Sequence, residues 1–153
     1  MPSNFFWYDA MTTDTAAATK FYADVVGWVP QESGSPGYTA LTVGGAGVAG
    51  LMAVPEDAAA MGARPAWVGY IHVNDVPTMM EAIREAGGKI WKDPVTIEGV
   101  ITFAVAADPQ GASFLIATPL IKDAPPPPAP QRARQYRLAR AVRDRLAGGV
   151  ALL

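Results

Sequence analysis

The stretch Phe5–Asp14, FFWYDAMTTD, sets an indole, a phenol and a carboxylate in three consecutive residues, Trp7, Tyr8 and Asp9. The period-two alternation of a strand puts Trp7 and Asp9 on one face, with Phe5 and Met11 beside them. In a second run, Trp67–Val73, the same alternation puts Val68, Tyr70 and His72 together. His72 is the chain's one histidine, and there is no cysteine, so thiolate chemistry is excluded. Acid–base work would fall to Asp9 or His72, with Tyr70 polarising a carbonyl. The same residues suit a second chemistry, in which an indole face and a neighbouring carboxylate hold a planar ligand at one polar or cationic anchor. A strand tryptophan is also ordinary core material, and a lone histidine an ordinary packed or surface residue. Catalysis by Asp9, Tyr70 and His72 therefore requires all three to converge on one ligand atom.

Each of these strands runs into a helix signal. DTAAATKFYADVVG spans Asp14 to Gly27 and DVPTMMEAIREAGG spans Asp75 to Gly88, each with Asp first and Gly thirteen residues later. The Asp side chain accepts orphan N–H groups of a first turn, and Gly supplies a left-handed exit. Helices are predicted near 14–26 and 75–86, burying Ala18, Phe21, Tyr22 and Val25 in one and Val76, Met79, Met80, Ile83 and Ala86 in the other. Strands precede them at Asn4–Thr12 and Trp67–Val73. Three more follow each: Trp28–Glu32, Tyr38–Val43 and Val48–Ala53, then Lys89–Lys92, Val100–Ala107 and Ser113–Thr118, with SGSPG, GGAG and DPQG as turns. The order βαβββ thus occurs twice, over 4–54 and 66–120, joined by Pro55–Pro65. The fold class is α+β, with mixed or antiparallel sheet.

Gly45–Gly50, GAGVAG, matches G-x-G-x-x-G. A dinucleotide site needs a helix opening at that point. VAGLMAVP follows instead, a short strand stopped by Pro55, so the motif reads as a hairpin turn.

Beyond the two repeats, 124–130 (APPPPAP) reads as a semi-rigid spacer. The tail, 131–153, carries Leu138, Val142 and Leu146 at helical spacing among arginines and ends in VALL, a basic amphipathic helix. Residues 1–130 hold 6 Lys/Arg against 13 Asp/Glu, and the tail holds 6 Arg against Asp144, so an acidic body (−7) carries a basic tail (+5). Nothing in the body resembles a phosphate-backbone footprint, so no nucleic-acid partner is expected. The tail is expected to dock on the body or on a second subunit of a homodimer. No apolar run reaches the roughly 20 residues of a membrane span. The start MPSNFF lacks the pattern of a signal peptide, and with no cysteine the expected location is cytoplasmic.

The duplication, with the helix-start Asp, FY and VGW in the first copy and ADPQG before the last strand, resembles the vicinal oxygen chelate superfamily, which includes glyoxalase I, extradiol dioxygenases and bleomycin-resistance-type binding proteins. The resemblance covers Phe5–Pro119 and implies two modules forming a curved mixed sheet around a cavity. In metal-using members, ligands come from the first and last strands of each module. By spacing, those positions here are Trp7, Val68 and Leu115, with the fourth near Leu51, and none can coordinate a divalent ion. The resemblance therefore implies a metal-free member with no cofactor, whose concave face (Trp7, Asp9, Met11, Val68, Tyr70, His72, Ser113 and Leu115) binds a small, largely apolar or aromatic molecule. Two alternatives stand beside it: a lyase, isomerase or dioxygenase-like enzyme using Asp9, Tyr70 or His72, and a regulatory protein acting through its tail. Metal analysis of untagged protein tests the first point, with no stoichiometric Zn, Fe, Mn or Ni expected.

Overall fold

The computed structural model describes residues 4–120; the expected linker at 124–130 and tail helix at 131–153 lie outside the described residues. The chain runs β1 (Phe5–Thr12), α1 (Thr15–Val26), β2 (Val29–Glu32), β3 (Tyr38–Val43), β4 (Ala46–Ala53), α2 (Glu56–Ala60), β5 (Ala66–His72), α3 (Val76–Glu85), β6 (Lys89–Ile97), β7 (Ile101–Ala107) and β8 (Ser113–Pro119). The short α2 lies in the Pro55–Pro65 connection between the two repeats.

Helix starts follow the sequence signals. The Asp14 carboxylate accepts the Ala17 N–H at 2.9 Å, and Asp75 accepts that of Thr78 at 2.8 Å. Gly27, at φ 78°, ends α1 in the left-handed conformation that glycine adopts without strain. At the end of α3 the left-handed residue is Gly87, at φ 81°, rather than Gly88. Gly88 serves packing instead, since a Cβ there would stand 2.7 Å from the Ala107 carbonyl oxygen.

The strands form one curved, mixed, eight-stranded sheet in the order β2-β3-β4-β1-β5-β8-β7-β6. Outward from the antiparallel β1–β5 seam, the order is β1-β4-β3-β2 on one side and β5-β8-β7-β6 on the other. Each half has one parallel pair, β1 with β4 and β5 with β8. Asp9 pairs with Gly50 and Tyr70 with Leu115, so an offset of 61 residues relates β1 to β5 just as it relates Asp14 to Asp75.

One sheet face packs on the helices. Ala10, Leu41, Ala49 and Leu51 meet Ala18, Tyr22 and Trp28, while Val73, Ala104 and Ile116 meet Val76 and Met80 of α3. The expected apolar face of α1 divides. Ala18 and Tyr22 turn inward, whereas Phe21 and Val25 stay 54% and 66% exposed, because the small residues Ala10 and Ala49 beneath α1 do not reach that far round the helix.

Two local departures shape the opposite, inner face. A register shift between Phe5 and Trp7 breaks the alternation of β1. Phe5 consequently stacks on Tyr8 over Gly69 on the helix-bearing face, and Phe6 turns inward, edge-on to Tyr70 and His72. The expectation that Phe5 shares a face with Trp7 is thereby corrected. In the GAGVAG motif only Gly45 belongs to the turn: Gly44 and Gly45, both at positive φ, close a two-residue β3–β4 hairpin, and Gly47 and Gly50 lie inside β4.

Leu51 is wholly buried at the centre of the first helix-side cluster. Leu51→Ala is expected to lower stability by about 2–5 kcal/mol, read as a fall in the urea midpoint at unchanged slope.

Candidate functional site

The centre of the inner face is a buried carboxylate. Asp9 is 2% exposed, placed by the seam at a point where β4 contributes no side chain, because its neighbour across the parallel ladder is Gly50. One Asp9 oxygen, Oδ1, accepts from Tyr38 Oη at 2.6 Å and from Trp7 Nε1 at 3.0 Å, and Oδ2 accepts from Tyr70 Oη at 2.5 Å. Trp7 Nε1 also donates to Tyr38 Oη at 2.8 Å. The carboxylate, two phenols and indole form one closed network, and every buried side-chain polar atom among the described residues has a partner.

Glycines in β4 make the room. A Cβ on Gly50 would fall inside van der Waals contact with both Tyr38 Oη and Asp9 Oδ1, and one on Gly47 would stand 3.1 Å from the Trp7 ring. The spacing that imitates a nucleotide motif is thus the bed on which Trp7, Asp9 and Tyr38 lie.

Burial first, and then the charge of Asp9, push the Tyr38 and Tyr70 phenols well above the ordinary tyrosine value of 10.0. Both are therefore fixed as neutral donors to Asp9. Tyr70 also meets Phe103 and Phe6 edge-on, with ring centroids 6.5 and 6.2 Å apart. A contiguous aromatic lining of Phe6, Trp7, Tyr38, Tyr70 and Phe103 results, every member partly exposed.

Of the residues the sequence singles out, Trp7, Asp9 and Tyr70 are brought together. Val68 pairs with Asp9 and Leu115 with Tyr70; both are buried and apolar. Met11, opposite Ala66 and Met52, lies further along the seam, and Ser113 is exposed at the start of β8. His72 faces Phe6 at 6.1 Å and makes no hydrogen bond to Asp9 or Tyr70. Asp9, expected to offer a ligand one polar or cationic anchor, is buried and already accepts from three donors of the chain. The sequence reading missed Tyr38, Phe6, Phe103 and Gly50. Alternation in YTALTV puts Tyr38, Ala40 and Thr42 on one face, but only the β3–β4 register, Ala40 opposite Gly50, assigns that face to the inner side.

Metal ligation can be tested on the same positions. The 61-residue offset and the two parallel ladders make Gly50, not Leu51, the counterpart of Leu115; Leu51 points into the helix-side core. The four positions are then Trp7, Val68, Gly50 and Leu115. None supplies a donor atom suited to a divalent ion, since the indole N–H is donor only. Among the described residues no three His, Asp or Glu side chains gather at one point. The residues present do not fit a metal centre of the kind the resemblance implies.

A duplicated βαβββ sheet with an aromatic inner face defines a class of protein, and comparison with known families gives the same class. The model of the Glyoxalase/Bleomycin resistance protein/Dioxygenase superfamily matches residues 5–116, and the chain belongs to that superfamily. It is 32% identical over 111 residues to CFP32 of Mycobacterium tuberculosis (strain CDC 1551 / Oshkosh), which carries a glyoxylase name, covering 70% of this chain and 42% of that protein. It is 29% identical over 123 residues to the anthracycline biosynthesis protein DauV of Streptomyces sp. (strain C5), covering 72% and 45%. The chain thus spans less than half the length of these curated relatives. Methylmalonyl-CoA epimerase from Mycobacterium tuberculosis shares the fold, at a TM-score of 0.53 and 18% identity over 79% of this chain and 88% of that one.

The network sets a pH dependence. Below pH 10 both phenols are protonated in folded and unfolded chains alike. Above it the unfolded chain releases protons that the folded chain retains, so stability is present below pH 10 and falls as pH rises beyond it. Phenolate absorbance is expected to show Tyr38 and Tyr70 ionising only as the fold is lost, and Tyr38→Phe with Tyr70→Phe to remove that late phase. Gly50→Ala is expected to cost about 1–3 kcal/mol or more, as overpacking against the hydrogen-bonded side chains of Tyr38 and Asp9 does, measured by urea denaturation.

Proposed function

We propose that this protein binds a small, largely apolar and aromatic molecule on its inner face, without a metal. The observation that carries the reading is the partly exposed aromatic lining, Phe6, Trp7, Tyr38, Tyr70 and Phe103, held rigid around a hydrogen-bonded carboxylate. Apolar contact with a few fixed polar groups is the usual make-up of a small-molecule site. Rings clamped by hydrogen bonds also lose little freedom on binding, which favours affinity. The apolar residues at the superfamily's ligand positions support binding without a metal. Relatives named for glyoxylase and for anthracycline biosynthesis support a small organic molecule as the ligand.

In this reading Trp7 is a contact surface, and Asp9 positions Trp7, Tyr38 and Tyr70 rather than meeting the ligand. A screen of aromatic compounds is expected to yield binders whose affinity falls about tenfold or more in Trp7→Ala, roughly 1.4 kcal/mol, with the melting temperature recorded on the same variant. Binding that survives Trp7→Ala unchanged would sink the reading.

A further inference from the structure

We infer that the ligand presents an organic cation, such as an ammonium group borne by an aromatic body, to the aromatic lining over Asp9. The inference rests on the binding reading above and adds the charge of the ligand.

Asp9 is the one charged side chain buried among the described residues. A carboxylate removed from water is ordinarily paired with a cation. Here its partners are an indole and two phenols, all neutral. Neutral donors satisfy the lone pairs and spread the charge, but they leave a full negative charge behind the rings. The salt bridges of the described residues lie elsewhere, Lys20 with Asp24 and Lys92 with Asp57. Lys92 is opposite Val105, which is opposite Leu115, itself opposite Tyr70, so β6 is three strands from Tyr70.

The rings in front of that charge point the same way. Trp, Tyr and Phe faces carry the negative side of a quadrupole and attract cations within about 6 Å. Five such rings line this face, and two of them, Tyr38 and Tyr70, have oxygens polarised by donation to Asp9. Both phenols resist ionisation, so the rings stay neutral donors to the carboxylate. The described region as a whole holds 5 Lys/Arg against 12 Asp/Glu, a net −7 that draws cations toward it. A neutral ligand would gain from stacking and from donating to the Tyr70 oxygen, but nothing from a carboxylate that no cation among the described residues meets.

The test is a pair of probes of matched shape, (4-hydroxyphenyl)trimethylammonium and 4-tert-butylphenol. Both are titrated into the full chain and followed by the indole N–H resonance of Trp7, assigned by its loss in Trp7→Phe. The cation is expected to bind about tenfold tighter or more. Asp9→Asn, which keeps the side-chain shape and removes the charge, is expected to collapse that preference. If Asp9→Asn does not fold, Tyr70→Phe serves instead. It strips a donor from the same carboxylate and leaves the charge, so the preference must hold or widen, and narrowing overturns the inference. Equal binding of the two probes by the wild-type chain overturns the cation inference and leaves the binding reading standing. If neither probe shifts the Trp7 resonance, both readings fall.

Discussion

A carboxylate taken out of water among aromatic rings has to be met by donors, and the geometry around Asp9 follows from that requirement. Three donors reach it from three strands: Trp7 from β1, Tyr38 from β3 and Tyr70 from β5. Hydrogen bonds to a charged group contribute about 1.5–3 kcal/mol each, and removing the acceptor would strand the Tyr38 and Tyr70 hydroxyls, Trp7 keeping its bond to Tyr38. The network therefore fixes more than its own atoms. It requires glycine at position 50, because any side chain there would enter the space of Tyr38 and Asp9. It also ties the two halves of the sheet across the seam, since Trp7 and Asp9 belong to one half and Tyr70 to the other.

How much of this is legible in the sequence depends on whether a feature is local. Helix starts at Asp14 and Asp75 are written in one residue and its position before an apolar repeat, and both are observed. The duplicated order of elements follows from those caps and the intervening turns. Features that depend on cross-strand register are not written locally. Alternation assigns Phe5 to the inner face, but a single shift between Phe5 and Trp7 reverses it and brings in Phe6. Tyr38 is invisible as a site residue until β3 is aligned on β4, and β4 on β1. Counting from prolines selects Leu51 as a ligand position, whereas the ladders select Gly50. The error of one residue matters because one step along a strand changes the face.

The site also shows how a fold can keep its inner face while the residues on it change. The positions at which the superfamily resemblance implies metal ligands hold an indole, a valine, a glycine and a leucine, in the order of the ladders. Polar function has moved one step away, to Asp9 and the residues that donate to it. Asp9 is two residues past Trp7 on the same strand face, so the exchange requires no change of backbone.

The equivalence of the two halves has a consequence for the buried carboxylate. At an offset of 61 residues Asp9 corresponds to Tyr70, Trp7 to Val68 and Met11 to His72, and the β3 and β7 registers make Tyr38 correspond to Phe103. A chain assembled from two identical copies of the first half would place a second carboxylate where the Tyr70 phenol now reaches Asp9. Two buried carboxylates in contact repel and cannot both stay ionised. An aspartate at both positions would have to share one proton across the seam, whereas Tyr70 brings a proton of its own. The pair is thus unequal by construction, an acceptor on one side of the seam and a permanent donor on the other.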